Sequence, residues 1–176
     1  MIVDQLVERV SGHCYCGSVQ FEVTIAPRDQ IQFSEYCHCS SCRRAHAAPL
    51  FQGVCLPKRC IDITAGKEHV KSFRKENVEV ARQFCGVCGT RLFNEFVSDS
   101  STVALSPSDD AILGGDCSNA DEEGKDEDVR EEEYAVFFPS TLTDEDQANL
   151  PDRLQAKTHN HAGECVLDMA LLQQLN

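Results

Sequence analysis

The chain has 176 residues, 41% of them hydrophobic, which predicts a single domain over residues 1–176 with an ordinary core. Its formal net charge of −13 argues against nucleic acid and against an anionic membrane surface as partners, because both attract clustered Lys and Arg. No apolar run reaches the ~18–20 residues that span a bilayer, and the first residues lack the pattern of a secretory signal. We therefore expect a cytoplasmic protein.

The N-terminal part predicts a lead-in strand or short helix over 1–11, followed by Cys14-x-Cys16 between Gly12 and Gly17. Glycines on both sides allow the backbone to turn tightly around an ion. Beyond this pair, short segments with alternating apolar and polar residues recur at about ten-residue intervals, which is typical of an all-β domain. The predicted strands are 19–25, 31–36, 50–57, 60–64, 70–74, 78–84, 92–96, 102–105 and 134–139.

A second cluster, Cys37-x-Cys39-x-x-Cys42, is followed directly by Arg43 and Arg44. Three thiols on a tight loop suit a tetrahedral zinc, which binds thiolates at about 2.3 Å. A structural zinc site closes with four protein ligands, whereas a catalytic one keeps a position open. We expect a turn or a single helical turn at 45–49.

The amino-acid composition of the chain changes after Ser106. Residues 109–133 are dominated by Asp and Glu and predict a solvated, mobile acidic insertion. Carboxylates also suit calcium, but the segment lacks the spacing of an EF-hand loop. Residues 165–175 predict a short C-terminal helix.

The clustered cysteines divide into two sets. Cys14, Cys16, Cys85 and Cys88 form two close pairs that together complete one closed tetrahedral site. The C-x-C-x-x-C cluster is then a second, three-coordinate set, so we expect two zinc ions per chain.

Other arrangements of the eleven cysteines stay open. A single zinc would combine Cys39 and Cys42 with the C-x-x-C pair. Disulfides are disfavoured by the odd count, the close spacing and the missing signal. Cys55 and Cys60 are interpreted as core residues and Cys117 as an exposed thiol.

Three stretches, 12–19 (GHCYCGSV), 37–44 (CHCSSCRR) and 84–93 (FCGVCGTRLF), carry a family resemblance. In this order, over residues 11–96, the chain resembles the glutathione-dependent formaldehyde-activating enzyme family, which also includes centromere protein V. The resemblance implies a mainly β, β-tent fold stapled by zinc. It implies structural zinc ligands at Cys14, Cys16, Cys85 and Cys88, and reactive-site ligands at Cys37, Cys39 and Cys42.

The resemblance also implies a carbon–sulfur lyase like S-(hydroxymethyl)glutathione synthase, with glutathione as cosubstrate and a small electrophile such as formaldehyde. Arg43 and Arg44 are predicted to pair with a ligand carboxylate, or else to be surface arginines. His38 and His46 are candidate proton carriers, or packed side chains.

A second functional class is favoured by departures from the family pattern. Leu154 stands three residues after Pro151, where the family commonly has histidine, and the chain has no tryptophan. Together with the acidic insertion, these departures suggest a non-enzymatic zinc module of the centromere protein V type that binds a basic partner. The sequence leaves the oligomeric state open.

Overall fold

The structure is a computed structural model that describes residues 7–97 and 133–167. These residues form β-strands with two short helices and five single 3-10 turns, so the predicted mainly β class is confirmed. The strands are β1 (Glu8–His13), β2 (Gln20–Ile25), β3 (Phe33–Cys37), β4 (Phe51–Pro57), β5 (Ile61–Ala65), β6 (Val70–Arg74), β7 (Val80–Cys85), β8 (Arg91–Phe96), β9 (Tyr134–Phe137) and β10 (Thr158–Asn160). The helices are α1 (Ser40–His46) and α2 (Asp144–Ala148).

The strands form two sheets. The smaller sheet is antiparallel, in the order β1-β2-β5, and the larger one has the order β10-β3-β4-β9-β8-β7-β6. The larger sheet is antiparallel except for the parallel pair β10–β3. The lead-in segment is a strand, and every predicted strand within the described residues is present.

The main core lies on the face of the larger sheet that the smaller sheet covers. Val54 and Leu56 of β4 are fully buried there, while Cys55 between them belongs to a second cluster with Val136 and Phe138. This alternation follows from the two-residue period of a strand. Phe21 of β2 meets Phe93 of β8 edge-on, with ring centroids 4.9 Å apart, and so joins the two sheets. The opposite face of the larger sheet is left to form the floor of a cavity.

Gly12 allows β1 to lie close to the ring of Phe21 and to the backbone of Thr141. A Cβ at this position would lie 2.3 Å from the ring of Phe21 and 2.7 Å from the carbonyl oxygen of Thr141. Both neighbours belong to packed structure, so only glycine fits between them.

Helix α1 begins earlier than the sequence predicted. Its N-cap is Cys39, whose Sγ accepts a hydrogen bond from the backbone N–H of Cys42 at 3.3 Å. Cys42 therefore lies in the first helical turn rather than in a loop. The turn predicted at 45–49 is the end of this helix, closed by Ala47 in the left-handed conformation at φ 50°. A thiol acceptor replaces the usual hydroxyl or carboxylate cap, which is why cap patterns did not indicate the start.

Some predicted features fall outside the described residues: the strand at 102–105, Cys117 and the acidic insertion up to residue 132. Of the predicted helix at 165–175, residues 165–167 are described and are not helical, and the rest lies outside. No helix among the described residues is long and apolar enough to cross a membrane.

Candidate metal centres

Four of the predicted ligands, Cys14, Cys16, Cys85 and Cys88, lie together with their Sγ atoms within 4.8 Å of one another. The Sγ atoms of Cys14 and Cys16 are 3.5 Å apart, and those of Cys16 and Cys85 are 3.9 Å apart. A tetrahedral ion with metal–sulfur bonds of about 2.3 Å sets its sulfurs about 3.8 Å apart, whereas a disulfide needs about 2.0 Å. The four thiols therefore fit a closed metal site and are not disulfide-bonded.

Two knuckles bring these thiols together, one after β1 and one after β7. The backbone N–H of Val19 donates to Sγ of Cys14 at 3.2 Å. Thr90 bridges the knuckles, because its hydroxyl accepts from the N–H of Tyr15 at 3.0 Å and also lies 3.2 Å from Sγ of Cys88. Val19 and Thr90 therefore hold the two knuckles and their thiols in position by hydrogen bonds.

The thiols of this cluster differ in acidity. Burial raises the pKa of Cys14 to about 11, whereas hydrogen bonds from the hydroxyl and backbone of Thr90 lower the pKa of Cys88 to about 5. The hydroxyl of Ser18 likewise lowers the pKa of Cys16. Part of the cluster is therefore already disposed to the thiolate form that metal binding requires.

The second cluster comprises Cys37, Cys39 and Cys42, whose Sγ atoms also lie within 4.8 Å of one another. Cys37 ends β3, Cys39 caps α1, and Cys42 is in the first turn of that helix. The structure therefore groups Cys39 and Cys42 with Cys37, not with Cys85 and Cys88 as the single-zinc alternative requires.

Hydrogen bonding shifts the pKa of the Cys39 thiol in the opposite direction to the pKa values of Cys37 and Cys42. Burial raises the pKa of Cys37 and of Cys42. Burial acts in the same direction on Cys39 and is the largest single effect there, but the hydrogen bonds from Cys42, Cys37 and Ser41 together outweigh it and lower the pKa of the Cys39 thiol.

The three thiols border a cavity of about 350 Å³. Its floor is the outer face of the larger sheet, to which β3, β4, β9, β8 and β7 each contribute at least one residue. Phe33, Phe51, Phe96 and Val136 make much of this lining apolar, and Arg82, Asn94, Glu35 and His161 add polar groups. An ion held by three thiols here has one coordination position left for a small molecule.

The C-terminal segment holds the three-thiol loop in place. The N–H of His38 donates to the carbonyl oxygen of Asn160 at 3.0 Å, and Nε2 of His38 lies 2.8 Å from Nδ1 of His159. The N–H of Ser40 donates to Oε2 of Glu164 at 2.9 Å. We name residues 158–164 the C-terminal clasp. Sequence reasoning missed it, and only its polar composition, THNHAGE, gave any signal.

The arginines predicted to bind a carboxylate lie beside the loop. Nε of Arg43 donates to the carbonyl oxygen of His38 at 3.0 Å, and Arg44 is exposed. Neither lines the cavity.

The two predicted histidines are packed side chains. His38 is fully buried against His159. His46 stacks on Phe51 with ring centroids 4.2 Å apart, and burial, followed by the charges of Arg91 and Arg82, lowers its pKa to about 4. The cavity wall instead contains His161.

The remaining sequence candidates are core residues. Cys55 and Cys60 are buried and belong to neither cluster, as predicted. Leu154, at the position where the family commonly has histidine, is fully buried in the main core. Its carbonyl oxygen accepts from the hydroxyl of Ser34 of β3 at 2.8 Å.

One buried arginine, Arg82, and one partly buried arginine, Arg91, were not recognised in the sequence. Nη2 of Arg82 donates to Oγ of Ser41 at 3.2 Å, and Nη2 of Arg91 lies 3.4 Å from Oδ1 of Asn94. Burial, followed by the charge of Arg82, lowers the pKa of Arg91 to about 10. Arg82 lies between Ala81 and Gln83 in β7, and Arg91 begins β8, so nothing in the sequence indicates that these side chains are buried or partly buried.

A comparison of the sequence with models of protein families finds a matching family. The family model described as "Glutathione-dependent formaldehyde-activating enzyme" matches residues 9–110, a range that includes both cysteine clusters. Among solved structures, a protein of Rhodobacter sphaeroides aligns with a TM-score of 0.48 and 14% identity, over 85% of this chain and 99% of that chain. The comparison with curated proteins finds no match.

Proposed function

We propose, because the chain belongs to the glutathione-dependent formaldehyde-activating enzyme family, that it is a zinc-dependent carbon–sulfur lyase. Its substrates are glutathione or a similar thiol and a small electrophile such as formaldehyde. The observation that carries the proposal is the three-thiol cluster on the wall of a cavity, apart from the four-thiol cluster.

The two clusters have different roles in this proposal. The closed set of four, at the two knuckles, holds a structural zinc. The set of three, Cys37, Cys39 and Cys42, holds a second zinc with an open position. A zinc ion held by these three thiols would favour the thiolate form of a bound substrate thiol at neutral pH, because coordination lowers the pKa of the thiol.

The reaction is the addition of a thiol to a carbonyl group. The sulfur attacks the carbonyl carbon and a C–S bond forms. The π electron pair moves to the oxygen, which takes up a proton and gives an S-hydroxymethyl product. The lyase direction reverses these steps. Phe33, Phe51 and Phe96 line the cavity and limit the access of water. Arg43 and Arg44, beside the loop, remain candidates for contacts with the outer part of the thiol.

The test is a paired measurement of metal content and catalysis on the full chain. We expect native mass spectrometry to show two zinc ions in the wild type, and one in Cys42→Ala. Exchange NMR should show faster formation of S-hydroxymethylglutathione from glutathione and formaldehyde with the wild type, and only the uncatalysed rate with Cys42→Ala.

Cys165→Ser is the matched control, since Cys165 is a partly exposed thiol outside both clusters. It should retain two zinc ions and full activity. A wild type that binds two zinc ions but neither binds glutathione nor accelerates the reaction would contradict the proposal.

Other predictions about the whole chain remain proposals. The interaction-module alternative depends on the acidic insertion, which up to residue 132 lies outside the described residues. The single domain over 1–176 and the cytoplasmic location are likewise proposed, the latter because free thiolate ligands need a reducing compartment.

A further inference from the structure

Arg82 is a buried cation that makes no ion pair with the residues that the structure describes. Its side chain lies on the cavity side of β7, and the residue is 7% exposed. Its hydrogen bond to the neutral hydroxyl of Ser41 is the one the structure gives it, and its buried Nε has no hydrogen-bond partner within residues 7–97 and 133–167. No carboxylate in these ranges lies within ion-pair distance of it. Buried arginines are normally paired with an anion, since an unpaired buried charge is destabilising.

The position of Arg82 relates this charge to the thiol cluster. Arg82 pairs with Asn94 across β7 and β8, and both side chains line the cavity that Cys37, Cys39 and Cys42 border. Asn94 is itself 6% exposed. A ligand whose sulfur reaches the thiol cluster therefore occupies the same cavity as the guanidinium.

The opposite side of the cavity has the opposite charge. Glu35 lies on β3, which the strands β4, β9 and β8 separate from β7. Its Oε1 accepts from Nδ2 of Asn160 at 2.7 Å, and it makes no ion pair with Arg82. An anionic group in the cavity is repelled by the Glu35 side and attracted to the Arg82 side.

We propose that Arg82 is a specificity-determining residue, whose guanidinium binds a carboxylate of the thiol substrate, so that the cavity selects thiols that carry a carboxylate. Guanidinium suits this role because its planar fork of donors matches a carboxylate. The inference rests on the proposed function, since it assumes that the thiol enters this cavity.

The experiment compares an acid with its ester on the zinc-loaded full chain. Isothermal titration calorimetry measures the dissociation constants of glutathione and of glutathione diethyl ester for wild type, Arg82→Gln and Arg82→Lys. We expect the wild type to bind the acid roughly ten- to hundredfold more tightly than the ester, the range for charge-assisted hydrogen bonds. Arg82→Gln should lose this preference by binding the acid more weakly and the ester equally well. Arg82→Lys should retain part of it.

Arg9→Gln is the control, because it removes the same charge from an exposed position on β1 of the other sheet. It should leave the preference for the acid unchanged. Equal binding of acid and ester by the wild type would overturn the inference, and so would an equal loss of both ligands in Arg82→Gln. In either case the thiol site, and with it the proposed function, would stand.

S-Methylglutathione separates the two proposals further, since it keeps both carboxylates and has no free thiol. If the wild type binds no free thiol at its metal, the proposed function fails. Binding of S-methylglutathione that is lost in Arg82→Gln would then still support the carboxylate site. If the wild type binds neither a free thiol nor S-methylglutathione, the proposed function and the carboxylate site are both overturned.

Discussion

His46 is a histidine that its surroundings hold in the neutral form. Its ring stacks on Phe51 at 13° and meets Phe138 edge-on, with ring centroids 4.7 Å apart. Burial, with the added charges of Arg91 and Arg82, lowers its pKa to about 4. A proton therefore binds this ring more weakly in the folded chain than in the unfolded chain.

This difference predicts a pH-dependent stability. Because the folded pKa lies below the ordinary value of 6.5, stability is complete above pH 6.5 and is lost as the pH falls from 6.5 towards 4. His46→Phe keeps the aromatic packing and removes the titrating group. Between pH 7.5 and 5.5, we expect the free energy of unfolding to fall by about 1 kcal/mol more in the wild type than in His46→Phe.

Urea unfolding at the two pH values measures this difference. His69→Asn is the control, because His69 has a side chain that is 43% exposed and should leave the wild-type pH dependence intact. The same pH dependence in His46→Phe and the wild type would show that His46 is not the responsible group.

At the scale of elements, the C-terminal clasp decides the geometry of the three-thiol loop. Strand β10 pairs in parallel with β3 at the strand end that carries Cys37. Glu164 then binds the first free N–H of α1, that of Ser40, and this hydrogen bond lowers the pKa of the carboxyl group. A carboxylate at a helix N-terminus is also favoured by the helix dipole. Residues more than a hundred positions later in the chain thus hold the loop.

Glu164→Gln tests this role. The amide is a weaker acceptor than the carboxylate and has no charge, so we expect the N-terminal turn of α1 to open more often. Hydrogen exchange of the amides from Ser40 to Arg43 should become several-fold faster, with exchange in β1 and β2 unchanged.

The matched control is Glu145→Gln in α2, whose side chain makes no hydrogen bond or ion pair with residues 37–42 within the described part of the chain. It should leave exchange in α1 at the wild-type rate. Unchanged exchange of α1 in Glu164→Gln would mean that the clasp does not stabilise the helix start.

At the scale of the whole molecule, the four-thiol cluster connects the two sheets. Cys16 follows β1 of the smaller sheet, and Cys85 ends β7 of the larger one, 69 residues later. A metal bound at this cluster closes a long loop and reinforces the contact that Phe21 and Phe93 make between the sheets. The three-thiol cluster, by contrast, lies on one short segment, so its metal constrains little of the chain.

Substitution of one ligand in each cluster should therefore have unequal effects on stability. Structural zinc binding contributes on the order of 10 kcal/mol to folding in small domains. We expect Cys88→Ser to remove a large part of this free energy and Cys39→Ser to remove much less. Thermal unfolding, with zinc content measured on the same samples, compares them. An equal loss of stability in the two variants would contradict the division into a structural and a reactive site.

The amino-acid sequence predicted strands β2 to β9 and the family, left β1 open between a strand and a short helix, and did not predict β10. The two-residue alternation of segments such as 19–25 is a local property, because each side chain's face follows from its position in the strand. The division of the clustered cysteines was likewise a local inference from spacing, and both groups are present in the structure.

The surroundings of the three thiols depend on contacts between residues that are far apart in the chain. His38 meets His159, 121 positions away, and Arg82 meets Ser41, 41 positions away. Such contacts depend on which strands become neighbours and which way their faces turn, and no local pattern encodes either. The burial of Arg82 with no anionic partner in ranges 7–97 and 133–167 is therefore a property of the folded sheet, where β7 and β3 form opposite sides of one cavity.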